Sequence, residues 1–148
     1  MTAAELQTFL RQNIPAAQAL DIQVIDCTPQ AVTLLMPYRL NHNHKNTVFG
    51  GSIALGATLC GWSAVHINCP AAAGNIVIQT GETRYLRPAT SDLLIRTQIE
   101  NAQAWQEIHT SLNTTGKGKI TLKTEMYSED QLVAVFSGKY VAVKTNSQ

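Results

Sequence analysis

The stretch Asn41-His42-Asn43-His44-Lys45-Asn46-Thr47-Val48-Phe49-Gly50-Gly51, with the uncharged apolar run from Ser52 to His66 behind it, decides the fold. It opens polar and turn-prone, passes through a glycine pair, and then becomes rich in small apolar residues. Gly50-Gly51 lets the backbone approach another group closely. The Ser52 hydroxyl is of the kind that accepts hydrogen bonds from the amides of a following turn, so the pattern predicts a helix over Gly51–His66 that starts there. A helix start offers unpaired N–H donors and a partial positive charge to an oxygen or an anion. His42 and His44, with Asn43 between them, sit just ahead of those donors. That combination makes the segment a candidate site as well as a loop.

The predicted helix is apolar nearly all round, which places it inside the protein. Two interior glycines, Gly56 and Gly61, weaken a helix by about 1 kcal/mol each relative to alanine. Close approach of a sheet or a second chain is therefore their expected role. Working outward, Thr2-x-x-Glu5 is a capping box that begins an N-terminal helix with Leu6, Phe9, Leu10 and Ile14 on one face. Pro15 ends or kinks it, and a short helical turn follows to Leu20. From Asp21 the period becomes two: Ile22 and Val24, a turn at Thr28-Pro29-Gln30, then Val32, Leu34 and Met36 make a hairpin closed by Pro37. After the central helix and a connection at 69–74, strands are expected over Asn75–Arg87, from Leu93 to Ile99, over Trp105–Leu112, from Ile120 to Met126, and over Leu132–Val143 with a bulge at Gly138. A polar tail covers 144–148. With no repeat or linker, residues 1–148 form a single domain of α+β class, one curved antiparallel sheet wrapped around one long central helix. One helix cannot cover a wide sheet, so a second subunit is expected against the remaining face or edge.

Composition narrows the function. The charged fraction is 14%, below the usual share of about 25%, which again points to surface covered by a partner subunit. A formal charge of +1 gives no argument for nucleic acid or an acidic membrane. No apolar run is long enough to cross a bilayer, because Gly56 and Gly61 interrupt the one candidate. The N-terminus lacks the basic region and long apolar run of a signal peptide, and the three cysteines are widely spaced. The expected location is cytoplasmic, with Cys27, Cys60 and Cys69 as reduced thiols.

Several chemistries compete for the polar residues. His42-x-His44 has the alternation of a metal pair, but the next acid is Glu82, beyond the whole helix, so no metal is expected. His42 reads as a loop residue capping backbone groups, and His44 stays open between structural and catalytic roles. There is no nucleophile elbow, and Cys60 in mid-helix reads as core. Glu82 and Arg84 share a strand face and read as an ion pair, with Glu82 a secondary candidate for acid–base work. Lys117 and Lys119, flanking glycines, read as a solvated turn ahead of a phosphate contact. Trp62 reads as core.

In combination, Asn43-His44-x-x-Thr47-x-Phe49-Gly50-Gly51 leading into a buried helix, and Tyr85-Leu86-Arg87-Pro88 at the end of the next strand, resemble the hotdog-fold acyl-CoA thioesterases. The likeness runs from the hairpin to the last strand. It is greatest to the thioesterase domain that also occurs fused behind a GNAT-type acetyltransferase domain, of which this chain would be a stand-alone version. The resemblance implies homo-oligomers, dimeric or tetrameric, with active sites between subunits. It implies hydrolysis of an acyl thioester without a cofactor beyond the coenzyme A of the substrate. Gly50 and Gly51 match the pair whose backbone N–H polarises the thioester carbonyl, and Asn43 matches an Asn or Gln that orients substrate or water. Where one branch has His-Gly-Gly, this chain has Phe49, and eight positions after Gly50 it has Thr58 in place of that branch's carboxylate. By elimination His44 is left as the base for water, with Thr58 positioning it. Phe49, Leu55, Trp62 and Arg87 are expected around the substrate, and Lys45 shares with Arg87 the charge for coenzyme A phosphates. The alternative is a non-catalytic acyl-CoA-binding or sensor module on the same fold. A dehydratase or a metal-dependent enzyme ranks below both.

Overall fold

A computed structural model describes residues 1–145; the polar tail expected over 144–148 lies outside the described residues from position 146 on. Helix α1 (Ala3–Asn13) begins with the reciprocal capping box, the Glu5 amide on the Thr2 hydroxyl and the Thr2 amide on the Glu5 carboxylate. It buries Leu6 and Leu10. Pro15 starts α2 (Pro15–Ala19), where its missing N–H leaves no bond unmade. Asp21 then ties this corner together. One carboxylate oxygen meets Arg11 at 2.7 Å and the other meets Arg39 at 2.6 Å, and the Arg11 hydrogen bond holds the Asp21 carboxyl below its ordinary range.

The hairpin forms as β1 (Gln23–Thr28) and β2 (Ala31–Met36). A single turn of helix, α3 (Tyr38–Asn41), leads to the Asn/His loop. Helix α4 (Gly50–Asn68) follows, then a short 3₁₀ turn, β3 (Ile76–Tyr85), β4 (Leu93–Gln98), α5 (Ala102–Thr115), β5 (Lys117–Ser128) and β6 (Gln131–Val143). The six strands make one antiparallel sheet in the order β1-β2-β4-β5-β6-β3. Helix α4 packs against five of its strands. The two interior glycines admit the sheet as expected. A Cβ on Gly56 would meet Ile95 and Met36, and one on Gly61 would meet the Tyr140 ring.

Three expectations are corrected. Residues 105–112 are helix, not strand. Trp105, Ile108 and Leu112 recur at helical spacing and are the buried residues of α5, which the Asn101 side chain caps at one end and Gly116, at φ +79°, closes at the other. Their β-favouring residue types suggested a strand, but capping and period decide. Helix α5 therefore shares the work of covering the sheet: Ile108 lies against Gly118 of β5, and the His109 ring reaches Asn68 O at the end of α4 (2.6 Å). Second, Gly138 is not a bulge. It pairs in register with Gly81 and Leu122, and the irregularities fall elsewhere, between Ile78 and Thr80 and between Met126 and Tyr127. Its missing side chain leaves room for Phe136, whose ring would lie 2.6 Å from a Cβ there. Third, α4 does not start at Ser52. Phe49 is the N-cap and no side chain caps the helix; Ser52 is buried in the first turn.

Candidate functional site

The start of α4 is fixed by backbone rather than by a cap. Val48 N–H donates to Ala89 O (2.8 Å) and Phe49 N–H to Asn41 O (2.7 Å), which pins the chain on both sides just before the helix. Ile53 N–H is the first helical donor, to Phe49 O. The amides of Gly50, Gly51 and Ser52 precede it and have no acceptor within the helix. On the opposite side of the Gly50 peptide, the Tyr85 hydroxyl donates to Gly50 O at 2.9 Å, with its ring 3.4 Å from where a Gly50 Cβ would stand.

The preceding loop is held by Asn43. Its carboxamide oxygen accepts from the Lys45 and Thr47 amides (2.9 and 3.2 Å), its nitrogen donates to the Thr47 hydroxyl (3.0 Å), and its backbone N–H donates to Thr47 O (2.8 Å). Asn46 sits at φ +60°, the turn this bracing closes. His42 stacks on Tyr38 at 5.2 Å and has Nδ1 3.1 Å from Asn43 O, the loop role expected of it. His44 is exposed, and its ring makes no hydrogen bond among the described residues.

Most of α4 is buried, but Gly51, Leu55, Thr58 and Trp62 recur at one-turn spacing and stay partly open along one stripe. Thr58 stands roughly 10 Å along the axis from Gly51. Its hydroxyl donates to Ala54 O at 2.8 Å, and its carbonyl accepts from the Tyr140 hydroxyl at 2.8 Å. With its proton committed, the Thr58 oxygen retains lone pairs that can accept from water but has no means of deprotonating it. Leu55, Thr58, Leu59 and Trp62 face Ile14 and Ala16 across an apolar groove of about 380 Å³. A second cleft, about 390 Å³ and more polar, lies beside the helix start between Gly50 and Tyr85, Arg87 and Pro88. Phe49 is exposed over Gly51, where a Cβ would come within 2.5 Å of its ring. Arg87 is exposed and donates to the Gln131 side chain at 3.1 Å.

The structure thus gathers Phe49, Gly50, Gly51 and Arg87 around one end of α4 and Leu55, Thr58 and Trp62 along its open stripe. It joins His44 to neither by a hydrogen bond. Elsewhere, Glu82 and Arg84 form an exposed pair at 3.9 Å. Cys60 is core, its thiol pushed up to about 12 by burial. Among the described residues, no group of three or more His, Cys, Asp or Glu side chains converges to hold a metal, and no helix is long and apolar enough to cross a membrane.

Two features escape the sequence. Tyr85 reaches Gly50 from 35 positions away; the sequence marks it within Tyr85-Leu86-Arg87-Pro88 but gives no sign of the carbonyl its hydroxyl meets. The other lies at the far end of the stripe, where the rings of His66, Phe9 (4.5 Å) and Trp62 (5.0 Å) cluster, and the buried His66 Nδ1 has no partner among the described residues. Burial lowers its pKa from the ordinary 6.5. In the unfolded chain His66 takes up a proton as pH falls through 6.5, while in the folded protein it resists, so protonation favours unfolding. Stability is expected to fall with pH in the window just below 6.5, and His66→Phe to flatten that segment of the curve. Denaturant midpoints at pH 7.5 and 5.5 check this.

The family model described as "Putative thioesterase (yiiD_Cterm)" matches residues 3–144. Among solved structures, a protein of unknown function from Chlorobaculum tepidum TLS superposes with a TM-score of 0.89 at 21% identity, over 97% of this chain and 94% of that one. A "putative thioesterase" from Shewanella oneidensis gives 0.83 at 27% identity, over 95% and 96%. The E. coli PaaI protein from the phenylacetic acid degradation operon gives 0.69 at 18% identity, over 99% and 95%. These structures share the hotdog arrangement, a curled antiparallel sheet over a central helix.

Proposed function

Since the chain belongs to this thioesterase family, we propose that it hydrolyses an acyl-CoA or acyl-carrier thioester at the start of α4. The observation that carries this reading is the pair of glycine amides, Gly50 and Gly51, without helical acceptors, with Gly50 on the polar cleft and Leu55, one turn further along α4, on the apolar groove. A thioester carbonyl placed against them would have its developing oxyanion held by donors already fixed in place by the Val48 and Phe49 backbone bonds. The acyl group would lie along Leu55, Thr58 and Trp62, under Phe49. Arg87, in the more polar cleft, would meet coenzyme A phosphates.

Water activation falls to His44, whose exposed imidazole makes no hydrogen bond among the described residues. Asn43 acts by shaping the loop that carries it, and Thr58 accepts a hydrogen bond from the water. The protein works without a resident cofactor, in the cytoplasm, as a homo-oligomer. Strand β3 supplies the joining edge: it ends the sheet, spans ten residues, and exposes Val77 and Tyr85.

His44→Ala tests the reading over a panel of acyl-CoAs. Turnover should fall about tenfold, below the about 100-fold or more usual for a general base, because buffer can replace an exposed imidazole in part. Added imidazole should restore it. Unchanged turnover removes His44 from the role. Tight acyl-CoA binding without any hydrolysis by the unaltered protein selects the binding-module reading instead.

A further inference from the structure

We propose that Tyr85 is a positioning residue that strengthens the Gly51 amide as the oxyanion donor by hydrogen-bonding the other end of the same peptide group. This rests on the thioesterase reading and identifies which of the two glycine amides does most of the work.

Gly50 C=O and Gly51 N–H belong to one planar, resonance-coupled unit. A donor on the carbonyl oxygen draws electron density from the nitrogen, so the N–H becomes a better donor; hydrogen bonds in series strengthen one another in this way. Gly50 O receives two donors. One is the helical Ala54 N–H, by the ordinary i to i+4 pattern. The other is the Tyr85 hydroxyl at 2.9 Å, using the second lone pair of the carbonyl. Among the described residues, the neighbouring peptide, Phe49 C=O with Gly50 N–H, carries only the Ile53 amide, at 3.1 Å. The two glycine amides are therefore unequal, with Gly51 the more polarised. Tyr85 is 54% exposed, so core packing does not dictate where its hydroxyl lies. A methyl at position 50 would meet the ring at ordinary contact distance, so a side chain longer than that of alanine is what would crowd it. The strand end that carries Tyr85 is fixed by Leu86 and Arg87 N–H to Val133 O (2.8 and 3.2 Å).

Tyr85→Phe keeps the ring and removes the hydroxyl. In ¹⁵N-labelled protein the Gly51 amide proton should move upfield while the rest of the spectrum and the melting temperature hold. On the best acyl-CoA of the panel kcat should drop three- to tenfold with KM unchanged. Difluorotyrosine at position 85, a stronger hydroxyl donor assayed below its ionisation, should raise kcat above wild type. A Gly51 shift that does not move overturns the polarisation. A shift that moves while kcat stays constant, or a loss confined to KM, overturns the part in catalysis. Absence of turnover in the unaltered protein overturns the hydrolase reading and the catalytic part with it, while the Gly51 shift still decides whether Tyr85 polarises the peptide.

Discussion

Gly51→Pro is expected to lower thioester turnover by about 100- to 1,000-fold, the loss typical of deleting one oxyanion donor. Proline is the one side chain that deletes a backbone N–H, and in the first turn of a helix that N–H bonds no carbonyl, so the fold loses no hydrogen bond. Gly51 is the second residue of α4, and Gly50 before it has no Cβ to clash with the proline ring. The nearest neighbour is Phe49, 2.5 Å from the position of a Gly51 Cβ but exposed, so that its ring can swing aside. Gly51→Ala is the control, since it displaces Phe49 in the same way and keeps the donor. The two variants should melt close together and differ in kcat by most of the full effect. Equal activity in both would mean that Phe49, not the amide, sets the rate.

Gly61→Ala should be the most damaging small change to stability. Alanine is the better helix former by about 1 kcal/mol, so in an exposed helix it would stabilise. Here the new methyl runs into Tyr140, whose Cζ lies 2.7 Å from the Cβ position and whose hydroxyl is closer still. Tyr140 is fully buried, and its hydroxyl is anchored to Thr58 O, so it cannot simply turn away. Overpacking of about 1–3 kcal/mol and the loss of a buried hydrogen bond of about 1 kcal/mol together outweigh the helix gain. A net loss of roughly 1–3 kcal/mol would lower Tm by about 2–12 °C, read by calorimetry. Combined with Tyr140→Phe, Gly61→Ala should cost less than alone, because the atom nearest the methyl is gone. Additivity of the two would show that they do not collide.

Much of the fold can be read from residue spacing. Alternation located β1, β2, β4, β5 and β6, and the capping box located α1, because each is a local pattern with one physical reading. Residues 105–112 misled because Trp, Ile and Thr favour strands, whereas the evidence for helix lay in the spacing of Trp105, Ile108 and Leu112 and at the ends, in Asn101 and Gly116. The candidate site was legible where it depends on backbone: a glycine pair before an apolar helix places amides without helical acceptors in its first turn. It was not legible where it depends on commitments already made. Asn43 has the groups to orient a substrate, but its carboxamide is engaged by Lys45 and Thr47. Thr58 has a hydroxyl, but its proton is given to Ala54. Sequence shows what a side chain can donate or accept, and only the folded chain shows what it has already donated. Tyr85 is the converse case, a useful hydroxyl with no sequence neighbour to announce its target.

The pinning of α4 by Val48 to Ala89 and by Phe49 to Asn41 has a consequence for how such a protein can drift over evolutionary time. Both bonds join main chain to main chain, and the donors they present are themselves main-chain amides. Substitution at 48, 49, 41 or 89 by any residue other than proline at the two donors leaves these bonds available. The acceptor-free amides at the start of α4 can therefore persist while side chains around them are replaced, and, on the function proposed above, a water-activating residue could be lost, moved or exchanged without dismantling the carbonyl-binding half. A lineage built this way can change its chemistry, or give it up for binding alone, without first inventing a new pocket.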